Sequence, residues 1–99
     1  MDIAFSIEGV PVRLTTERWF HIVENHDELA GYYDNVLETI EQPQWILRGH
    51  NGAFVAVQNY GHRRYLSVIY RQVSADDGFV ITAYFTTDLD REKIVWKRQ

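Results

Sequence analysis

Two histidines stand five positions apart in Arg18–Glu28, RWFHIVENHDE, and the 99-residue chain has only four. Imidazole can carry a proton near neutral pH or ligate a metal. His21 and His26 are therefore a catalytic pair, metal ligands or ordinary structural residues. If the stretch is one helix, five positions leave the two rings about 140° apart. They cannot then serve one small group unless the helix ends between them. His26 falls on an apolar stripe with Trp19, Ile22 and Val23. His21 shares a polar face with Arg18 and Asn25. The spacing is not the His-Glu-x-x-His of a zinc helix, and the chain has no cysteine. Neither a metal nor another cofactor is expected.

Charge supplies the second chemical feature. From Thr15 to Glu41 the acids are Glu17, Glu24, Asp27, Glu28, Asp34, Glu38 and Glu41, against one base, Arg18. From Gln42 to Ala75 there is no acid, while Arg48, Arg63, Arg64 and Arg71 stand with His50 and His62. The net charge of -4 argues against strong non-specific binding to nucleic acid, which depends on neutralising phosphates. A basic surface confined to one element still binds an anion.

These residues need elements to position them. The length suits a single domain, 1–99, and 45% hydrophobic residues suffice for one core. No apolar run is long enough to cross a bilayer, and MDIAFSIEGV has acids and no basic n-region. A cytoplasmic protein without a signal peptide or membrane association is expected. IAFSIEG alternates weakly, as a short strand or an ordered arm, and Val10-Pro11 is expected to break regular structure. Thr15 or Thr16 can cap a first helix, with Leu14 and Trp19 as a hydrophobic staple. YYDNVLETIEQ forms a second helix with Tyr33, Val36, Leu37 and Ile40 on one face, and Pro43 stops it. QWILRG, AFVAVQNY, RRYLSVIYRQV and FVITAYFTT then read as strands joined by short turns. The prediction is α+β: two N-terminal helices, about 15–41, packed on a four-stranded antiparallel meander, about 44–87. A tail, 88–99, adds a short helix or another strand.

Alternation assigns the sheet faces. Leu66, Val68 and Tyr70 form one set; Arg63, Tyr65, Ser67, Ile69 and Arg71 form the other. In the last strand Ile81, Ala83 and Phe85 are the apolar set, and Thr82, Tyr84 and Thr86 the polar one. The apolar sets are expected on the helices. Tyr65, Ser67, Thr82 and Tyr84 are expected together on a second face. The face of Arg48 stays open.

The combination of HIVENH, a proline-entered meander from Pro43-Gln44-Trp45-Ile46, the strand Arg63-Arg64-Tyr65-Leu66-Ser67-Val68, and the strand VITAYF resembles a known grouping. It is similar to the barnase, EndoU, colicin and RelE-like (BECR) nuclease superfamily, in its small phage- and toxin-associated branch, over roughly Thr15 to Thr86. The resemblance implies a toxin-type endoribonuclease that needs no metal and acts on RNA such as tRNA. A cognate antitoxin or immunity protein would be its partner. In that chemistry the ribose 2'-hydroxyl attacks the adjacent phosphorus, which calls for a base, an acid and a cation. The resemblance then implies His21 or His26 as proton carrier and Arg48, Arg63 or Arg64 as charge stabiliser. Thr82 and Tyr84 would position the phosphate, and Arg18, Arg48, Tyr65, Ser67 and Arg71 would contact substrate. Two other classes fit the same elements: a non-catalytic protein-interaction module, and an anion-binding domain.

Overall fold

Thr15 is extended, and its hydroxyl accepts the Arg18 N–H at 3.0 Å, which caps the first helix. In the computed structural model, which describes residues 1–99 throughout, this helix (α1) runs Thr16–Asn25. It stops because His26 leaves helical angles, at φ -138° and ψ 72°, while its N–H still bonds the Ile22 carbonyl. A 3-10 turn, Asp27–Leu29, leads to α2, Tyr33–Glu41. Val36 and Ile40 of α2 are buried, with Tyr33 and Leu37 half-buried beside them.

The strands are β1 (Asp2–Phe5), β2 (Pro11–Leu14), β3 (Trp45–Arg48), β4 (Phe54–Asn59), β5 (Tyr65–Ser74), β6 (Asp77–Thr86) and β7 (Ile94–Lys97). They form one mixed sheet in the order β1-β2-β6-β5-β4-β3-β7. The α+β class holds, but the expected four-stranded meander is corrected to seven strands. β3 to β6 do pair consecutively and antiparallel. They are flanked by β2, parallel to β6 through Val12 and Arg13, and by β7 on β3. Nor are the helices N-terminal, since β1 and β2 precede them. Pro11 opens β2 instead of breaking the chain. At a strand's first residue the ladder does not need the missing N–H.

Both helices pack on one face. Ile22, Leu29, Val36 and Ile40 bury themselves against Val12, Leu14, Ala56, Leu66, Val68, Tyr70, Val80 and Ala83. A bulge changes the predicted parity of β6. Ile69 pairs with Thr82 and Tyr70 with Val80, which leaves Ile81 as the extra residue. Val80, not Ile81, takes the core position, at 1% exposure, and Ile81 turns to the helix-free face.

Arg13 ties the N-terminal strands to the β5–β6 hairpin. Its Nε donates to Asp77 Oδ1 at 2.8 Å and its Nη2 to Oδ2 at 3.2 Å. The hydrogen bond from Arg13 lowers the Asp77 pKa, against a smaller opposing effect of desolvation. A folded-state pKa below the unfolded one adds stability above the ordinary carboxylate range. That stability is lost as pH falls through the folded value. Asp77→Asn is therefore expected to melt below wild type at neutral pH, with the two melting curves converging under roughly pH 4. A gap of constant size across pH would contradict this.

Candidate functional site

The helix-free face carries a groove of about 680 Å³. Its floor is built by strand alternation. Leu47 pairs with Val55, Val55 with Ile69, and Ser67 with Tyr84, each opposite in parity to the core set. Arg71, two residues beyond Ile69 on β5, points the same way. One wall is the 3-10 turn His50–Gly52, where Asn51 adopts φ 51° and ψ 42° before Gly52 at φ 80°. Arg71 lies against this turn: a Cβ on Gly52 would stand 3.6 Å from Arg71 Nη1.

The opposite wall is the segment from Thr87 to Lys93. It carries the chain from β6 past β5, β4 and β3 to β7, and Asp88, Asp90 and Lys93 on it line the groove. Lys93 Nζ lies 3.8 Å from Asp90 Oδ2. The segment also passes Trp45, whose ring is 6.0 Å from the Arg91 guanidinium and 6.1 Å from the Tyr65 ring.

Charge in the groove is unevenly neutralised. The chain's ion pairs are Arg13–Asp77 and Lys93–Asp90, with His26 Nδ1 also 4.0 Å from Glu28, so Arg48 and Arg71 have no carboxylate within 4.0 Å. Ser67 is buried at 4% exposure in the floor, and Tyr84 is half-buried. Together these groups offer two guanidinium forks, two hydroxyls and the His50 imidazole around one concave surface. That inventory can hold a phosphate and move a proton beside it.

The residues expected from sequence separate into groups. Arg48, Ser67, Arg71 and Tyr84 line the groove. Tyr65 and Thr82 face the same side, paired with Thr86 and Ile69, but lie outside the groove. His21 and Arg18 are exposed on the outer side of α1, in a depression with Glu17 and Glu24. His26, turned by the helix end, comes within 5.7 Å of the Tyr84 ring and 4.0 Å of Glu28. It meets the groove only through Tyr84. Arg63 and Arg64 belong to the β4–β5 turn instead of a strand, and Arg64 stacks 4.0 Å over Phe85. The expected strand placement of Arg63 and Arg64 is thus corrected, and the open question of how α1 docks is answered. α1 docks with its His21 side outward, and β5 begins only at Tyr65.

Sequence reasoning passed over His50, Thr86, Asp88, Asp90 and Lys93 as groove residues. His50 had a signal, since it lies in the acid-free stretch, but GHNG reads locally as a turn and nothing more. Compared with known proteins, the chain matches no family, no curated protein and no solved structure.

Proposed function

We propose that the groove binds and cleaves RNA, as an endoribonuclease of toxin type using 2'-hydroxyl attack. One observation carries the reading. Arg48, Ser67, Arg71 and Tyr84, scattered over three strands, line a single groove with His50 at its rim. Arg48 and Arg71 would hold the phosphate and offset its developing charge. His50 would take or return the proton, with His26 behind Tyr84 as the second candidate. The Ser67 and Tyr84 hydroxyls would position phosphate oxygens. tRNA remains the substrate suggested by the resemblance, and the cytoplasm the compartment where such an enzyme would meet it.

Labelled tRNA and total RNA incubated with the protein should yield fragments ending in cyclic phosphate. A 2'-deoxy residue at the cut site should block the cut. Induced expression should arrest growth, and an Arg48→Ala, Arg71→Ala double variant should relieve the arrest. RNA left intact by wild type, or cut equally by the double variant, would sink the proposal.

A second reading is a non-catalytic interaction module. All seven acids between Thr15 and Glu41 are exposed, which suits a basic protein partner such as an antitoxin or immunity protein. A stable complex on size exclusion together with no cleavage would favour it.

A further inference from the structure

The β4–β5 hairpin closes through His62 and Arg63, both left-handed, at φ 52° and 59°. The Arg64 N–H donates to the Gly61 carbonyl at 2.9 Å. Two successive positive φ values mark a type I′ turn, for which asparagine and glycine are the usual residues because they bear these angles at least cost. The chain uses that pair elsewhere, at Asn51 and Gly52. At this hairpin tip it places an imidazole and a guanidinium instead. Backbone strain of this kind persists where surrounding structure enforces it, and it clusters at sites of function.

The surroundings here do enforce it. The Tyr60 N–H donates to the Arg64 carbonyl at 2.8 Å, and the Gly61 N–H to Asn59 Oδ1 at 2.8 Å. The Tyr60 hydroxyl accepts from Asn35 Nδ2 of α2 at 2.9 Å, which anchors the turn to the helix layer. Arg64 is committed to the Phe85 ring. His62 and Arg63 are exposed, and neither Arg63 nor Arg64 has a carboxylate within 4.0 Å. The tip is a preorganised, uncompensated positive point.

It also leads directly into a strand position beside the groove. Tyr65, next after Arg64, pairs with Thr86, which lines the groove. Arg63 is four residues from Ser67, so their Cα atoms stand no more than about 14 Å apart. We infer that this tip is a second phosphate-contact site for single-stranded RNA, outside the groove. Arg63 forks onto a backbone phosphate and His62 donates beside it. The choice of RNA rests on the groove reading above; the site itself rests on the geometry of the turn.

The test uses 2'-O-methyl RNA, which cannot be attacked, so binding is read without cleavage. A labelled strand of about a dozen nucleotides reaches both sites, and a dinucleotide reaches the groove alone. His62→Asn with Arg63→Gly relaxes the turn and removes both side chains. The variant should melt roughly 3–8 °C above wild type. It should bind the long strand about tenfold more weakly, with a salt slope smaller by about one, and bind the dinucleotide as wild type does. Arg98→Ala, which removes an exposed arginine elsewhere, should leave long-strand affinity unchanged. A stabilised variant with undiminished affinity overturns the inference, as does a variant that melts no higher than wild type. Weakened long-strand binding beside a wild type that cuts no RNA would keep the tip and remove the nuclease. Unchanged long-strand binding beside normal cleavage would do the reverse.

Discussion

Arg71→Ala is expected to slow RNA cleavage by about 10²–10³-fold, the usual consequence of removing one preorganised donor from a charge-developing site. The melting temperature should stay within a few degrees of wild type. Arg71 is half-buried and forms no ion pair, so its removal strands no buried charge. The loss should fall mainly on kcat, because the phosphoryl oxygens gain charge only on the way to the transition state. Arg71→Lys keeps the charge and gives up the planar fork, so it should recover part of the rate. Single-turnover cleavage of a defined oligonucleotide measures this. A rate for Arg71→Ala within twofold of wild type would remove Arg71 from the mechanism.

Gly78→Ala should be the most damaging of the small substitutions, at about 2–3 kcal/mol. Gly78 sits in β6 between β2 and β5, paired with Val12 on one side and Gln72 on the other. A Cβ there would lie 2.8 Å from the Arg71 carbonyl oxygen, with the Pro11 oxygen and Val12 Cγ2 each at 3.4 Å. The nearest obstacle is backbone, which cannot swing aside as a side-chain tip can. For a domain of this length the melting temperature should drop by roughly 10–20 °C. Urea midpoints should fall with an unchanged m-value. Gly61→Ala makes the useful contrast. Gly61 has φ 81° but open space around its Cβ position, so only backbone strain opposes the change and the cost should be about 1 kcal/mol. If Gly78→Ala were no worse than Gly61→Ala, close packing of β2 on β6 would not be what this glycine serves. Part of the damage should reach the groove, since the displaced carbonyl belongs to Arg71.

How much of this was legible in the sequence follows the range of the forces involved. The Thr15 cap, the apolar stripes of α1 and α2 and the order of β3 to β6 are written in near neighbours. Parity alone placed Ser67, Arg71 and Tyr84 on one face. What escaped is non-local. The parallel partnership of β2 with β6 joins Val12 to Gly78, and no local period announces it. The bulge at Ile81 shifts parity by one residue in a strand whose hydrophobicity reads the same either way. Which side of α1 faces out, and so the fate of His21, depends on helix docking. The path of Thr87–Lys93 decides which of its charges enter the groove, and nothing in those residues specifies it. The β4–β5 turn is legible at Asn59–His62, but its continuation through Arg63 is not, because His62 and Arg63 contradict the usual preference at left-handed positions.

The β2–β6 pairing also has a kinetic meaning. β3 to β6 are neighbours in sequence and joined by short turns, so their hairpins can zip on the order of microseconds each. Val12 and Gly78 are 66 positions apart (78 − 12), and their meeting must close a loop that takes in both helices and most of the meander. The entropic cost of that closure comes before any contact repays it. The parallel seam is thus expected to form late in folding, with the two N-terminal strands docking onto a meander already formed.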